Sequence, residues 1–352
     1  MLNTTWYNLT HWEKWPFKVI YFPLTVVWLY YIVRSRAVWF FTPSNPTITF
    51  GGFEGEGKKE MYCQLPLHTY PHTIYIHPTV PVTEALLHIK AAGFTYPYIV
   101  KPENGMMGLL FRIIDNEAQL KTYHAISPVE YIVQAFSNYP VEVSIFYYRH
   151  PTKLSGTVSG FIMKEYMHIV GDGTRTVQQL IAAHPKASTM LQEMDVKHSH
   201  NYNNVLPNGE VYYLSYAGNH NRGAKFINLH NQIDAALLAL CDSLSNNQNQ
   251  FYYGRFDVKC ASIPDLKAQL NYTILEYNGA GAEPNHIYDC GLTLWQAYKE
   301  IVKHWQALYS ISKYNHKHGS PYWSFGRGLK FLKQASTLLN TLKAKDIELG
   351  AL

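Results

Sequence analysis

Tyr253-Gly-Arg-Phe-Asp-Val-Lys259 and Ile274-Leu-Glu-Tyr-Asn-Gly-Ala-Gly-Ala-Glu-Pro284 are the two runs that decide how this chain is read. In the first, Arg255 and Asp257 alternate with Phe256 and Val258. In the second, Glu276 and Asn278 alternate with Leu275 and Tyr277. Successive side chains of a strand point to opposite faces, so each run reads as a strand with its polar pair on one side. Paired as a hairpin, the strands would gather three oxygen-donor side chains and a guanidinium on one surface. Such oxygens suit Mg²⁺, a hard ion that keeps part of its water shell and bridges to substrate phosphates. A hairpin with a merely solvated polar face fits these two runs equally well, so the remainder of the chain has to decide.

Composition narrows the class. The 352 residues suffice for a large core and about two domains or subdomains. Charged residues make up 16%, low for a soluble protein, and aromatics 15% with 28 Tyr, which together suggest a globular body with a membrane-associated part. The formal charge of +5 is mild and no long basic run occurs, so nucleic acid is not expected as a partner. Cys63, Cys241, Cys260 and Cys290 form no CxxC pair and read as reduced thiols. Among the 17 histidines, His198 and His200 stand two residues apart in a polar stretch that reads as a solvated loop.

Residues 17–33 are almost wholly apolar, studded or flanked by Trp12, Trp15, Trp28 and Trp39, with Lys14 and Lys18 before them and Arg34 and Arg36 after. With Trp15 and Pro16 the run just reaches spanning length. Residues 1–41 are therefore expected to be a membrane anchor, kinked at Pro23, with a monotopic helix pair or a buried core helix as the alternatives. The slight excess of positive charge after the segment places the body on the cytoplasmic side. Residues 42–79, with Gly51-Gly52-Phe-Glu-Gly55-Glu-Gly57, read as a linker and pre-domain segment.

A phosphate-binding half follows. A helix over Val82–Ala92, capped by Thr83 and stopped by Gly93, leads to the strand Tyr98-Ile-Val-Lys101-Pro102. Then come Gly105 and Gly108 and a strand Leu109–Ile114. A lysine at a strand end followed by two loop glycines suits a nucleotide phosphate, since the amine supplies charge and the glycines let backbone N–H groups approach. A plain glycine-turn hairpin is the alternative. Strands are expected over 130–136, 141–148 and 156–165, a turn at Gly171–Thr174 served by Asp172, and a helix over Val177–Ala183 capped by Thr176. A strand over Val211–Ser215 and a glycine-punctuated loop over 218–224 come next, and Asp234–Leu244 is apolar at helical spacing. Residues 292–310 read as an aromatic-rich helix and 326–352 as an amphipathic basic helix that packs on the body.

The order of these motifs resembles the ATP-grasp superfamily of carboxylate–amine ligases. The order is Ile-Val-Lys101-Pro-x-x-Gly105-x-x-Gly108, Val-Gln134-Ala-Phe, Glu142-Val, Gly254-Arg255-Phe-Asp257-Val and Leu-Glu276-Tyr-Asn278-Gly. It looks like the ATP-binding region of D-alanine–D-alanine ligase. The middle looks closer to cyanophycin-synthetase-like members, with the Val170 to Thr174 turn, the Pro207 to Glu210 strand and the Asn219 to Gly223 loop. The resemblance covers roughly residues 80–310.

It implies an α+β ATP-grasp fold at 80–325, divided into a lid at about 98–165 and a larger metal-binding part at 166–325. It implies that Lys101 binds ATP phosphates and that Gly105–Gly108 closes over them. Gln134 stands near the adenine where relatives often carry Glu, and Ala135 takes a second acidic place. Glu142 would be a nucleotide-side residue, with Lys164 and Arg222 as further phosphate or carboxylate contacts. Asp257, Glu276 and Asn278 would hold Mg²⁺, while Arg255 steadies the transferring phosphoryl group. The activity implied is Mg²⁺-ATP-dependent amide formation between a carboxylate and an amine through an acyl phosphate. The short segment before Lys101 leads us to expect a lipid or envelope-related substrate. A phosphotransferase that stops at phosphorylation, or a catalytically inactive nucleotide-binding scaffold at the membrane, remains the alternative.

Overall fold

The computed structural model describes residues 11–350 except 107, 216–217, 219–222 and 247–250. The chain separates into two compact units that interleave in sequence. One comprises Pro71–Asn138, Lys164–Phe226 and the residues from Thr337 on; the other comprises the residues up to Tyr70, Tyr139–Met163 and Ile227–Ser336. Motif order had led us to expect consecutive segments instead.

In the first unit β1 (Thr73–Ile76), β2 (Tyr98–Pro102), β3 (Arg112–Ile114) and β4 (Tyr131–Ala135) form an antiparallel sheet in the order β1-β4-β2-β3. Its apolar face is carried by Tyr98, Val100, Tyr131 and Val133, packed on the helices Val82–Ala91 and Glu117–Ile126. Thr83 does not cap the first of these. Pro81 occupies the N-cap position without a side-chain bond, because a proline fixes φ for helix entry and the turn closes one residue earlier. Asn116 does cap the second, accepting from the Gln119 amide. Leu342 and Leu349 of the helix Phe325–Leu349 are buried in the same core, so the basic tail packs on the body as expected. Asp346 holds it there, accepting from the Leu110 amide at 2.8 Å and from Arg112 at 3.0 Å.

In the second unit β5 (Val141–Tyr148) and β6 (Thr157–Glu165) enter a larger sheet. Between β6 and its next partner the chain returns to the first unit to form the two-stranded pair β7 (His168–Val170) and β8 (Val211–Tyr213). The larger sheet is completed by β9 (Lys225–Asn228), β10 (Tyr253–Cys260) and β11 (Tyr272–Asn278), in the order β11-β10-β5-β6-β9. The expected pairing of the two opening runs is present: β10 and β11 are antiparallel neighbours, joined through the short helix Ile263–Lys267. Helix and strand content of this kind is the expected α+β class.

Most of residues 42–52, part of the expected linker, are instead buried, Thr47 being exposed. Asn45 is fully enclosed and satisfies four backbone groups. Its amide donates to the carbonyls of Tyr253 (2.8 Å) and Gly51 (3.0 Å), and its Oδ1 accepts from the amides of Tyr252 and Tyr253. The Gly51 and Gly52 carbonyls then accept from Ala280 and Gly281. A Cβ at Gly52 would lie 2.8 Å from the Gly279 Cα, so these glycines serve close backbone approach rather than looseness. Asn45→Ala should therefore leave buried amides and carbonyls of β10 unpaired and lower stability by about 2–4 kcal/mol in urea unfolding; a loss below about 0.5 kcal/mol would remove the clamp from the account.

Candidate functional site

Register builds the site. On β10, Lys259 stands opposite Glu142 of β5, Asp257 opposite Ser144, and Arg255 opposite Phe146. On the other side Asp257 faces Glu276 and Arg255 faces Asn278. Directly opposed residues share a face. One face of β5–β10–β11 therefore carries three rows: Glu142 with Lys259, Ser144 with Asp257 and Glu276, and Phe146 with Arg255 and Asn278. A bulge between Asp257 and Val258 shifts the β11 register just past the middle row.

Asp257 is the centre of this face. Its carboxylate is buried and accepts from Ser144 Oγ, from Arg255 Nε and Nη2 at 3.1 Å each, and from Asn278 Nδ2 at 3.3 Å. The fork-on-carboxylate geometry gives two parallel charge-assisted bonds. Burial acts to lower the Arg255 guanidinium, but the charge and hydrogen bonds of Asp257 hold it above its ordinary range. Arg255 also donates through Nη1 to the Glu283 carbonyl at 3.3 Å, tying the strand to the segment after β11. Glu276 is more open, with Lys58 Nζ 3.8 Å from its carboxylate.

The three expected metal ligands thus lie together. Asp257 and Glu276 are cross-strand partners, and Asn278 turns its amide nitrogen to Asp257, leaving its oxygen for another partner. Hard oxygen donors in this number fit Mg²⁺. Four residues around them were not singled out from sequence: Ser144, Lys259, Lys58 and Glu56. Ser144 could have been found by carrying the alternation two residues on from Glu142. Lys259 follows from the same alternation two residues on from Asp257, whereas Lys58 and Glu56 depend on how the 53–62 segment folds back.

Glu56 is the perturbed acid of the site. Burial first, then the charges of Glu276 and Glu54, push its carboxyl up to about 7 from 4.5, against a backbone hydrogen bond and the charge of Lys58. An acid that ionises less readily in the folded than in the unfolded chain makes the fold bind the extra proton. Stability should then fall as pH rises from about 4.5 to about 7.

The first unit holds the remaining expected residues. Lys101 lies opposite Ile132 and Ile99 opposite Gln134, so Lys101 and Gln134 share the sheet face turned away from the Tyr98–Val100 core. Gln134 is buried and donates to Thr73 Oγ1 at 2.8 Å. Gly108 takes φ +69°, within a turn over residues 108–110 that replaces the first part of the expected strand. Gly105 is in the same loop, and Lys164 is buried near the end of β6. Arg222 lies outside the described residues. Asp172 serves its own turn, accepting from the amides of Thr174 and Arg175, and Thr176 closes a capping box with Gln179.

No protein-family profile and no curated protein matches the chain. Among solved structures, the D-alanine–D-alanine ligase of Bacillus anthracis aligns at 13% identity and TM-score 0.41, over 75% of this chain and 69% of that one. The VanG D-Ala:D-Ser ligase of Enterococcus faecalis aligns at 13% and 0.41, over 74% and 62%. The bifunctional glutathione synthetase of Pasteurella multocida aligns at 13% and 0.36, over 70% of this chain but 35% of that one. The chain thus spans about a third of that synthetase and about three fifths of VanG. Likeness this distant carries no argument of its own, and the reading below rests on the chain's residues.

The pH prediction is specific to Glu56. In EDTA, Glu56→Gln should remove a decline of stability of no more than about 3 kcal/mol between pH 5 and 8, read as urea midpoints; an unchanged pH profile would separate the titration from this residue.

Proposed function

We propose that the chain is a Mg²⁺-ATP-dependent carboxylate–amine ligase that forms an amide through an acyl phosphate. The observation that carries this reading is the row of Asp257 and Glu276 flanked by Arg255 and Asn278 on one sheet face. Mg²⁺ held by Asp257, Glu276 and Asn278 would neutralise charge on the ATP phosphates. Arg255 keeps a positive charge beside that position and can shift from Asp257 toward a phosphoryl oxygen. In the other unit, Lys101 at a strand end and the loop glycines at 105 and 108 carry the residue types of a phosphate contact. The substrate carboxylate then attacks the γ-phosphorus, ADP leaves, and an amine displaces phosphate from the acyl phosphate. No enzyme nucleophile is required.

Asp257→Asn and Glu276→Gln should each lower Mg²⁺-dependent ADP release by at least about 100-fold, measured against a panel of amino acids and amino lipids. Near-normal turnover in both would sink the metal assignment. Stoichiometric phosphate with an amide product supports a ligase, whereas a phosphorylated product without phosphate release favours a phosphotransferase.

The N-terminal segment supports a membrane-proximal substrate. Phe17–Ser35 is long and apolar enough to cross a membrane, but it is interrupted by a 3₁₀ turn at Phe22–Leu24 containing Pro23. One side packs on the body: Tyr31 stacks on Tyr309 at 4.6 Å and Trp28 meets Trp305 at 4.9 Å. Phe22, Val26, Leu29 and Val33 occupy the other side and are each more than half exposed. Lys18, Arg34 and Arg36 are exposed near the ends of the segment. A helix with one packed and one exposed apolar face suits lying in the interface better than standing free as a span. Removing residues 1–41 would strip Phe40 and Phe41 from the core, so point changes are the better test. The double variant Val26→Asp/Leu29→Asp should lose co-sedimentation with vesicles of anionic phospholipid while keeping ATP turnover on a soluble acceptor. Retained co-sedimentation would remove the membrane from the proposal.

A further inference from the structure

Beyond the Asp257 face, the same unit contains a cluster of different chemistry. Glu300 and His304 stand one turn apart on the helix Leu294–Lys317, and His286 reaches them from the segment after β11. Glu300 Oε1 lies 3.1 Å from His304 Nε2 and 3.5 Å from His286 Nε2. One donor atom from each of the three residues lies within 4.8 Å of the other two. The structure assigns His286, Glu300 and His304 as a site for a divalent transition-metal ion of the Zn²⁺ type, separate from the Mg²⁺ ligands.

Geometry supports the assignment. Zinc binds imidazole nitrogen and carboxylate oxygen at about 2.0–2.2 Å in tetrahedral sites, which sets neighbouring donors roughly 3.3–3.5 Å apart. Of the two distances at Glu300, 3.5 Å falls at this spacing and 3.1 Å lies just below it. Two imidazoles and one carboxylate form a three-ligand set that leaves a position for water. Their mixed nitrogen and oxygen character favours a transition metal over Mg²⁺, which takes oxygen.

Burial and unmet bonding support it independently. His304 is fully buried, against Phe146 at 4.3 Å between ring centroids. His286 Nε2, the atom that faces Glu300, is buried without a hydrogen-bond partner. A buried polar atom of this kind calls for an explanation, and an ion bound there would satisfy it. His286 is seated where it is because position 160 is glycine: a Cβ there would lie 2.0 Å from His286 Nδ1. Lys303 Nζ, 3.4 Å from Glu300 Oε1, is an opposing charge beside the site, and its side chain is 56% exposed and able to swing into solvent.

An ion here would tie the segment after β11 to the helix Leu294–Lys317. That segment carries the Glu283 carbonyl that receives Arg255, so the tie would steady it beside the Asp257 face.

The test uses the full chain, stripped with EDTA and titrated with Zn²⁺ and with Co²⁺ in excess Mg²⁺. One Zn²⁺ per chain, a visible Co²⁺ absorption of tetrahedral type and a Zn²⁺-dependent rise in Tm are expected. His286→Asn and Glu300→Gln change the two less buried ligands and should each weaken Zn²⁺ binding at least about tenfold. Lys303→Met, which keeps all three ligands and removes the opposing charge, should bind Zn²⁺ at least as tightly as the unaltered chain. Asp257→Asn should retain the Zn²⁺ stoichiometry, which separates this site from the Mg²⁺ ligands. Absence of stoichiometric Zn²⁺ in the unaltered chain would overturn the assignment. So would undiminished affinity in both ligand variants, or loss of binding in Lys303→Met.

Discussion

The register of β10 between β5 and β11 is the constraint on which the rest of the site depends. Asp257 faces Ser144 on one side and Glu276 on the other because the three strands pair at that offset. A slip of one residue would carry Arg255, Asp257 and Lys259 to the opposite face and bring Phe256 and Val258 to this one. Phe256 and Val258 are fully buried, so such a slip would expose apolar surface and bury charge at once. The register is thus fixed by the core face, and the polar face inherits its geometry from it. Asn45 adds a second lock by bonding the backbone at the start of β10, and the Gly51 and Gly52 carbonyls hold the segment that leaves β11.

That arrangement explains why a buried carboxylate is tolerable. Asp257 without partners would be strongly unfavourable, and here it accepts from Ser144, Arg255 and Asn278. The same bonds hold it in place for a cation. In the proposed reaction Arg255 would give up one carboxylate oxygen to the ion and keep its bond to the Glu283 carbonyl, which holds its charge near Asp257. Pre-positioned charge of this kind needs little reorganisation during reaction.

What was legible in the sequence follows from how local each signal is. The strand Val141–Tyr148 and the helix Val177–Ala183 have the expected bounds, since alternation, a turn proline and a capping threonine are all local features. The face shared by Asp257 and Glu276 was also legible, because period-two alternation survives any reasonable pairing. The 42–52 segment was not. Glycine signals both looseness and close backbone approach, and only the neighbouring Gly279 and Asn45 distinguish the two. Thr83 and Pro81 competed for one cap, and the backbone geometry of proline prevailed. Glu56 looked like a residue of a flexible run, and its perturbed carboxyl arises first from burial and then in part from the charge of Glu276, more than two hundred residues away in sequence.

The histidines make the same point about chemistry. His198 and His200 are two residues apart in sequence, yet His198 bonds Tyr212 and the Leu214 carbonyl, a structural role. Glu300 and His304 carry only the common i, i+4 spacing, and His286 adds itself through the fold. The two proposed metal sites divide by donor type within one unit. Oxygen donors gather around Asp257, and nitrogen donors gather farther along the same sheet face, where the helix Leu294–Lys317 sets His304 against Phe146. Oxygen suits the hard ion and imidazole the softer one, so neither set of ligands competes for the other's ion.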